Sequence, residues 1–421
     1  MIIGRLVSLS GRRLLATLAA LGWIGILSLN ALADALPDST WIQLQPLPGQ
    51  GSTALFALAV DPSNNQVVIA ANSQGSLLRS AAGGTAWTTV HSGKTAVNTV
   101  SFSPYTARLV LAGTRGGGAL FSRDAGATWS SATGLDGRNV RVFAFALDLI
   151  AAGTDHGVYT SADGRAWSPS ALTNRSIGAL AVGAIHEPVR LVAGSDTQAA
   201  GGTLPLYQSL DGGATWKQFN PPISGTMTVR LAAGPLPPTG NVRPLLIGTN
   251  TGLFASSDNG ASFNPLSGGG LLPTTDYTQV TFVTSHYDRF YAGSDGGGSK
   301  SGGLWRTGDG GRTFTSMQPP QSSVTALAVS NDEQPTLYVA TFQPSSHAVS
   351  LWVYHDTGAS PTGPPATPST LASGARNSHT LGDSSLAQLL SSPQLPYVGL
   401  GLGALAVILT AIAAHLRGRY R

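Results

Sequence analysis

The chain has 421 residues and a formal net charge of +4, yet only 10% of its residues are charged and 53 are glycine. That length suits two or three domains or one large all-β domain, and sparse charge with abundant glycine argues for short strands and tight turns, against helical bundles and coiled coils. Cysteine is absent, which excludes disulfides, zinc–thiolate sites, iron–sulfur clusters and cysteine nucleophiles. Six basic residues (Arg5, Arg12, Arg13, Arg417, Arg419 and Arg421) lie outside the span from Asp34 to Asp383, which holds all 20 acids. Within that span 18 basic residues face 20 acidic ones, a net of −2, so no nucleic-acid partner is expected. Glu187 and Glu333 are the only glutamates, which limits carboxylate chemistry.

Residues 1–13 carry three arginines and no acid, and 14–33 are uncharged, mostly apolar and end in Ala31-Leu32-Ala33. Residues 1–33 therefore read as a signal peptide with a small-x-small cleavage site, the alternative being an uncleaved N-terminal anchor. Trp41 to Leu47 has the look of a short strand. Apolar runs follow at Ala54–Val60, Val67–Ala70, Ser76–Arg79 and Ala86–Val90, which is four strands in one unit.

A short pattern then recurs. Ser122-Arg-Asp124-Ala-Gly126-Ala-Thr128-Trp129 returns at Ser209–Trp216 around Asp211, at Ser256–Phe263 around Asp258 and at Thr307–Phe314 around Asp309. Ser161–Trp167, around Asp163, is one residue shorter. Eroded copies begin at Ser80, where Ala82 replaces the aspartate, and at Tyr354, which keeps Asp356. The residue types fit a structural hairpin turn: aspartate accepts from following N–H groups, glycine supplies positive φ and a hydroxyl closes a second local bond. One acid per copy is too few for a calcium loop, so no metal is expected.

Copies beginning at 80, 122, 161, 209, 256, 307 and 354 imply seven units. The fold expected is all-β: a seven-bladed β-propeller of four-stranded blades over residues 41–361, followed by a C-terminal transmembrane helix. The last unit lacks a fourth strand, and Trp41 stands one period before Trp87, so residues 41–47 are expected to complete the seventh blade and remove the open edges. From 362 to 395 the chain is rich in Pro, Ser, Thr and Gly and reads as a disordered stalk. The segment 396–415 contains an 18-residue uncharged run and reads as a transmembrane helix, with 416–421 as a basic cytoplasmic tail. Leu395-Pro-Tyr-Val-Gly399 is similar to a sortase sorting signal, but Val398 stands where that signal has threonine. The ends together place the propeller on the extracytoplasmic side of the cell membrane, held by one span.

The recurring pattern resembles the Asp box of the bacterial neuraminidase repeat, found in sialidases and in many non-enzymatic propellers. The resemblance gives Asp124, Asp163, Asp211, Asp258, Asp309 and Asp356 a structural role. It also resembles the propeller of photosystem II assembly factors, which bind a membrane-protein partner through an arginine-rich face; Arg115, Arg138, Arg141 and Arg175 offer a modest counterpart. Sialidase chemistry would need an arginine cluster, an acid and a tyrosine activated by glutamate, announced by Phe/Tyr-Arg-Ile-Pro. That tetrapeptide is missing, and no catalytic residue is carried over.

In a propeller, turns between strands one and two share a face with those between strands three and four. The boxes, Glu187 and Glu333 are thus expected on one face. On the opposite face, just after strand two, equivalent positions read Ser73, Arg115, Asp155, Asp196, Asn250, Asp295 and Gln343. This polar ring, with Arg115, Asp155, Asp196, Asn250 and Asp295 as candidate ligand-binding residues, is where a protein or carbohydrate would bind. The competing reading is a ring of solvated turn formers. An inverting glycosidase needs only two carboxyls roughly 6.5–9.5 Å apart, and Asp155 and Asp196 on adjacent blades are the pair to consider. The functional expectation is a monomeric, non-catalytic binding or scaffolding module without a cofactor. The alternatives are a glycoside hydrolase and a membrane-protein assembly factor.

Overall fold

Among the described residues, 28 strands pair into seven antiparallel sheets of four. The computed structural model describes residues 39–48, 54–185, 188–195, 204–223, 225, 227–235, 242–266, 269, 275–283, 286, 288–296 and 302–359. All of them fall within the first of two compact units, residues 1–366. The expected signal peptide 1–33, stalk 362–395, transmembrane helix 396–415, tail 416–421 and the motif 395–399 lie outside the described residues. No helix among the described residues is long and apolar enough to cross a membrane.

Six sheets follow chain order, strand next to strand: residues 55–92, 97–131, 140–173, 177–219, 228–265 and 279–316. The seventh takes Ser323–Val329, Thr336–Gln343 and Ala348–His355 and is completed by Trp41–Gln43. Trp41 pairs with Tyr354 and Gln43 with Trp352. The closing strand is shorter than the expected 41–47, because Pro46 has no N–H to continue a ladder. Leu44 N still donates to Leu351 O at 2.9 Å, and Leu44 and Leu47 are buried against Tyr338 and Leu351. Trp41 packs on Tyr354, ring centroids 4.7 Å apart, and its Nε1 donates to Met317 O of the sixth blade at 2.9 Å.

The core lies between neighbouring blades. Ala57, Ile69 and Leu77 of blade one pack with Val97, Val110 and Leu120 of blade two; Leu58, Val68 and Leu78 on the other side of blade one pack with Tyr338, Leu351 and Val353 of blade seven. Strands buried on both faces read as continuous apolar runs, which is why second strands such as Val110–Thr114 and Ile150–Thr154 are buried throughout. The recurrent Gly near the end of these second strands has a steric cause. A Cβ on Gly248 would lie 2.3 Å from Tyr277 O, and one on Gly113 would lie 2.8 Å from Val140 O, each belonging to the next blade.

The box turns sit beside the turns between strands one and two of the same blade. Ala125 N donates to Arg108 O, Gly212 N to Val189 O and Gly310 N to Asp288 O, all within 2.9–3.0 Å. Each complete box closes the same set of bonds. Ser122 Oγ donates to Asp124 Oδ1 at 2.7 Å and accepts from Gly126 N at 2.9 Å; Thr128 donates through N to Oδ1 and through Oγ1 to Oδ2, at 2.9 and 2.6 Å. Asp211, Asp258 and Asp309 repeat this arrangement. In the shortened copy Asp163 Oδ1 accepts from Arg165 N at 2.9 Å. Desolvation raises the Asp124 carboxyl, but the hydrogen bonds from Thr128 and Ser122 outweigh it and hold the group at about 2. Asp211, held first by the Thr215 hydroxyl, is also at about 2. In blade one the box tryptophan precedes the fourth strand rather than starting it: the strand is Thr88–Ser92.

The seventh copy departs from this pattern. Tyr354 stands where the other copies have Ser or Thr, so the hydroxyl that would receive the glycine N–H and orient the aspartate is missing. The strand runs on to His355, which pairs with Thr336, and Asp356 N donates to Pro335 O at 2.9 Å. The Asp356 carboxylate, fully buried, turns to blade six: Tyr291 Oη donates to Oδ2 at 2.7 Å, and the Arg306 guanidinium is bonded to Oδ1. Asp356 therefore joins two blades instead of tightening its own hairpin. Burial, then the neighbouring negative charge, pushes the Tyr291 hydroxyl far above its ordinary range, so it remains a donor.

Candidate binding face

The face opposite the boxes begins with a shared backbone bond. The residue after strand two donates its N–H to the residue preceding or opening strand one: Ser73 to Ala54 O, Arg115 to Ala96 O, Asp155 to Asn139 O and Asn250 to Met227 O, at 2.8–3.4 Å. These four sequence-derived ring positions are thus equivalent in space and lie at the entry end of the innermost strands, whereas on blade seven the register puts Phe342, opposite Ser323, at the place expected for Gln343.

A second feature was not legible in the sequence pattern. In six blades the innermost strand carries a register shift near its start, at its second residue in blades one to five and its third in blade seven: Phe56, Asn98, Arg141, Gly178, Val229 and Thr325 are the extra residues. A bulge inserts one residue and re-aims its side chain. Here it adds an inner set of residues beside the ring after strand two.

The two sets meet on blades one to three. The Arg115 guanidinium lies over the Phe56 ring, 5.9 Å from its centroid, and Phe56 is 37% exposed. Asn98 Nδ2 donates to Asn139 Oδ1 at 2.7 Å and to Val140 O at 3.1 Å. Asp155 Oδ1 accepts from Asn139 N at 3.1 Å and lies 3.3 Å from His156 Nδ1. Arg141 stands between the charges: burial lowers its pKa, Asp155 counters this and Arg115 adds to it. The result is an amphipathic patch that gathers two cations, an aromatic ring, two amides and one carboxylate.

The remaining expected residues are distributed. Asn250 is half-buried on blade five and Asp295 is exposed on blade six. Asp196 and Glu187 lie outside the described residues. Glu333 is exposed on the box face, in the turn between strands one and two of blade seven, and its backbone carbonyl accepts from Arg289. Trp305 is buried against Tyr277, and Trp352 donates to Thr341 Oγ1 at 2.9 Å, so both serve blade packing. Among the described residues no group of three or more His, Asp or Glu could hold a metal ion.

No family model matches the sequence. No curated protein matches it either. Solved structures do. YCF48 from Cyanidioschyzon merolae aligns with a TM-score of 0.52 at 15% identity, over 75% of this chain and 98% of that one. YCF48 bound to D1 peptide aligns with a TM-score of 0.53 at 16% identity, over 78% of this chain and 98% of that one. An ancestral GH74 enzyme aligns at 15% identity over 76% of this chain and 57% of that one, with a TM-score of 0.47. At these identities the likeness shows the propeller fold alone.

Proposed function

We propose that this chain is a non-catalytic binding module that docks a protein on the face opposite the boxes, tethered to the extracytoplasmic side of a membrane through the uncharged run in 396–415. The observation that carries the reading is the contiguous patch of Phe56, Arg115, Arg141 and Asp155. Exposed aromatic and arginine side chains are the residues that anchor protein interfaces, and the bulges hold them forward. The route of the chain supports it as well. Ser39 and Thr357, near the two ends of the described residues, meet on the box face, Oγ to Oγ1 at 3.1 Å, opposite the patch. YCF48 bound to D1 peptide is an instance of this fold taking a polypeptide.

The test is site-specific photo-crosslinking in native membranes. A crosslinker replacing Arg115 is expected to capture a discrete partner, while one replacing Asp211 on the box face is not. Equal capture at both positions, or none at Arg115, would overturn the assignment. So would turnover of sialyl or β-glucan oligosaccharides that disappears in Asp155→Asn, which would install the glycoside hydrolase reading in its place.

A further inference from the structure

The axis of the propeller holds a cavity of about 320 Å³ lined by all seven innermost strands. Its depth can be read from the register. Arg230 pairs with Gly248 on blade five and Gln279 with Gly293 on blade six, so the two occupy equivalent positions on adjacent blades, near the entry end of their strands. These are the lining residues furthest from the box face. At the other end the lining reaches Pro62, Pro104 and Asn331, each just beyond the end of an innermost strand. The cavity is therefore a shaft that reaches the box face with Arg230 and Gln279 at its inner end.

Its walls are mixed: Phe102, Phe143, Phe145 and Phe282 supply apolar surface, and Ser101, Thr281 and Asn331 stand among polar groups. No aspartate or glutamate lines it; the charged lining residues are Arg230 and Arg243. Arg243 is occupied, its Nε and Nη2 donating to Gly234 O at 2.8 and 2.6 Å and its Nη1 to Val182 O at 3.2 Å. The Arg230 guanidinium makes no hydrogen bond or ion pair to any described residue. Arg230 is half-buried, and this burial lowers its pKa. An arginine so placed retains five unused donors in a fork matched to a carboxylate. A concave site of a few hundred Å³ that combines aromatic wall with a few convergent polar groups suits a small molecule.

We infer that the shaft binds a small carboxylate with an apolar body, its head on Arg230 and its body against the phenylalanines; Gln279, beside Arg230, has its Nε2 donating to Thr325 O at 3.0 Å. This site is separate from the proposed protein-binding face and stands whether or not that reading holds. Partial burial strengthens the attraction between the guanidinium and the anion relative to open water, and contact of the apolar body with the phenylalanines selects against inorganic ions.

The experiment titrates the full chain, in detergent, with 4-fluorobenzoate observed by fluorine NMR. Saturable binding is expected, with 4-fluorobenzyl alcohol at least tenfold weaker and inorganic phosphate a poor competitor. Arg230→Gln should weaken 4-fluorobenzoate at least tenfold. Arg230→Met, which removes a cation bonded to no described residue and keeps the stem, should lose the ligand while melting no lower than the parent protein, separating loss of the site from loss of the fold. Equal affinity for the neutral alcohol, unchanged binding in both variants, or displacement by phosphate at the same concentration would overturn the inference.

Discussion

Asp124 and Asp356 occupy the same place in the repeat and do different work. Asp124 sits in a surface turn, its carboxylate filled by Thr128 and Ser122 a few residues away in sequence. Asp356 is fully buried, and its partners, Tyr291 and Arg306, come from another blade. The difference arises at one neighbouring position, where Tyr354 replaces the hydroxyl residue that folds the other turns onto themselves. A local bond holds a hairpin; the same carboxylate released from its turn can hold the ring.

The largest expected effect tests the blade-seven side of this contrast. Asp356→Ala leaves the Arg306 cation and the Tyr291 hydroxyl without their acceptor, and breaking a buried ion pair from one side costs about 3–5 kcal/mol. Chemical denaturation should show that loss; a change below about 1 kcal/mol would mean the junction is held by packing alone. Acid should act on the other side of the contrast. The depressed carboxyls of Asp124 and Asp211 supply stability that is complete above their ordinary value of 3.8 and is lost as pH falls to about 2. Asp258 and Asp309 are shifted in the same direction. A protein carrying Asn at all four positions should show a flatter stability profile between pH 4 and 2; an unchanged slope there would remove the boxes from the acid response. The smallest effect is that of one box. Asp124→Ala should cost about 1 kcal/mol, the net worth of a few exposed hydrogen bonds. Its cost should add to that of Asp258→Ala, three blades away. Strong non-additivity in equilibrium unfolding would show that the turns communicate.

Much of the architecture was legible in the chain because its determinants are local and repeated. The spacing of the boxes gave the blade count, and the single orphan strand at Trp41 gave the closure. What stayed hidden depends on register and on neighbours distant in sequence. Thr228-Val-Arg-Leu-Ala-Ala reads as an ordinary inner strand; only the shift at Val229 and its equivalents shows which residue is re-aimed and that Arg230 reaches the axial cavity. The ring of Arg115, Asp155, Asn250 and Asp295 was legible as a set of equivalent positions. The patch around Arg141 was not, since Phe56, Asn98 and Arg141 look like unrelated strand residues until the bulges line them up. The role of Asp356 was hidden for the same reason: no property of 354–361 reveals that Tyr291 and Arg306 arrive beside it.

The closing strand has a mechanical consequence. Trp41–Gln43 runs antiparallel to Ala348–His355, with Ser39 N bonded to His355 O at 2.9 Å where the chain enters and exits. Tension drawing residues 39 and 357 apart would load these rungs one after another, peeling Ser39 and Trp41 away before Gln43, rather than straining all of them at once. Resistance to pulling then falls to side chains at the point of first rupture, the Trp41 indole under Met317 and the carboxylate of Asp356, which act as the clasp of an otherwise easily unzipped ring.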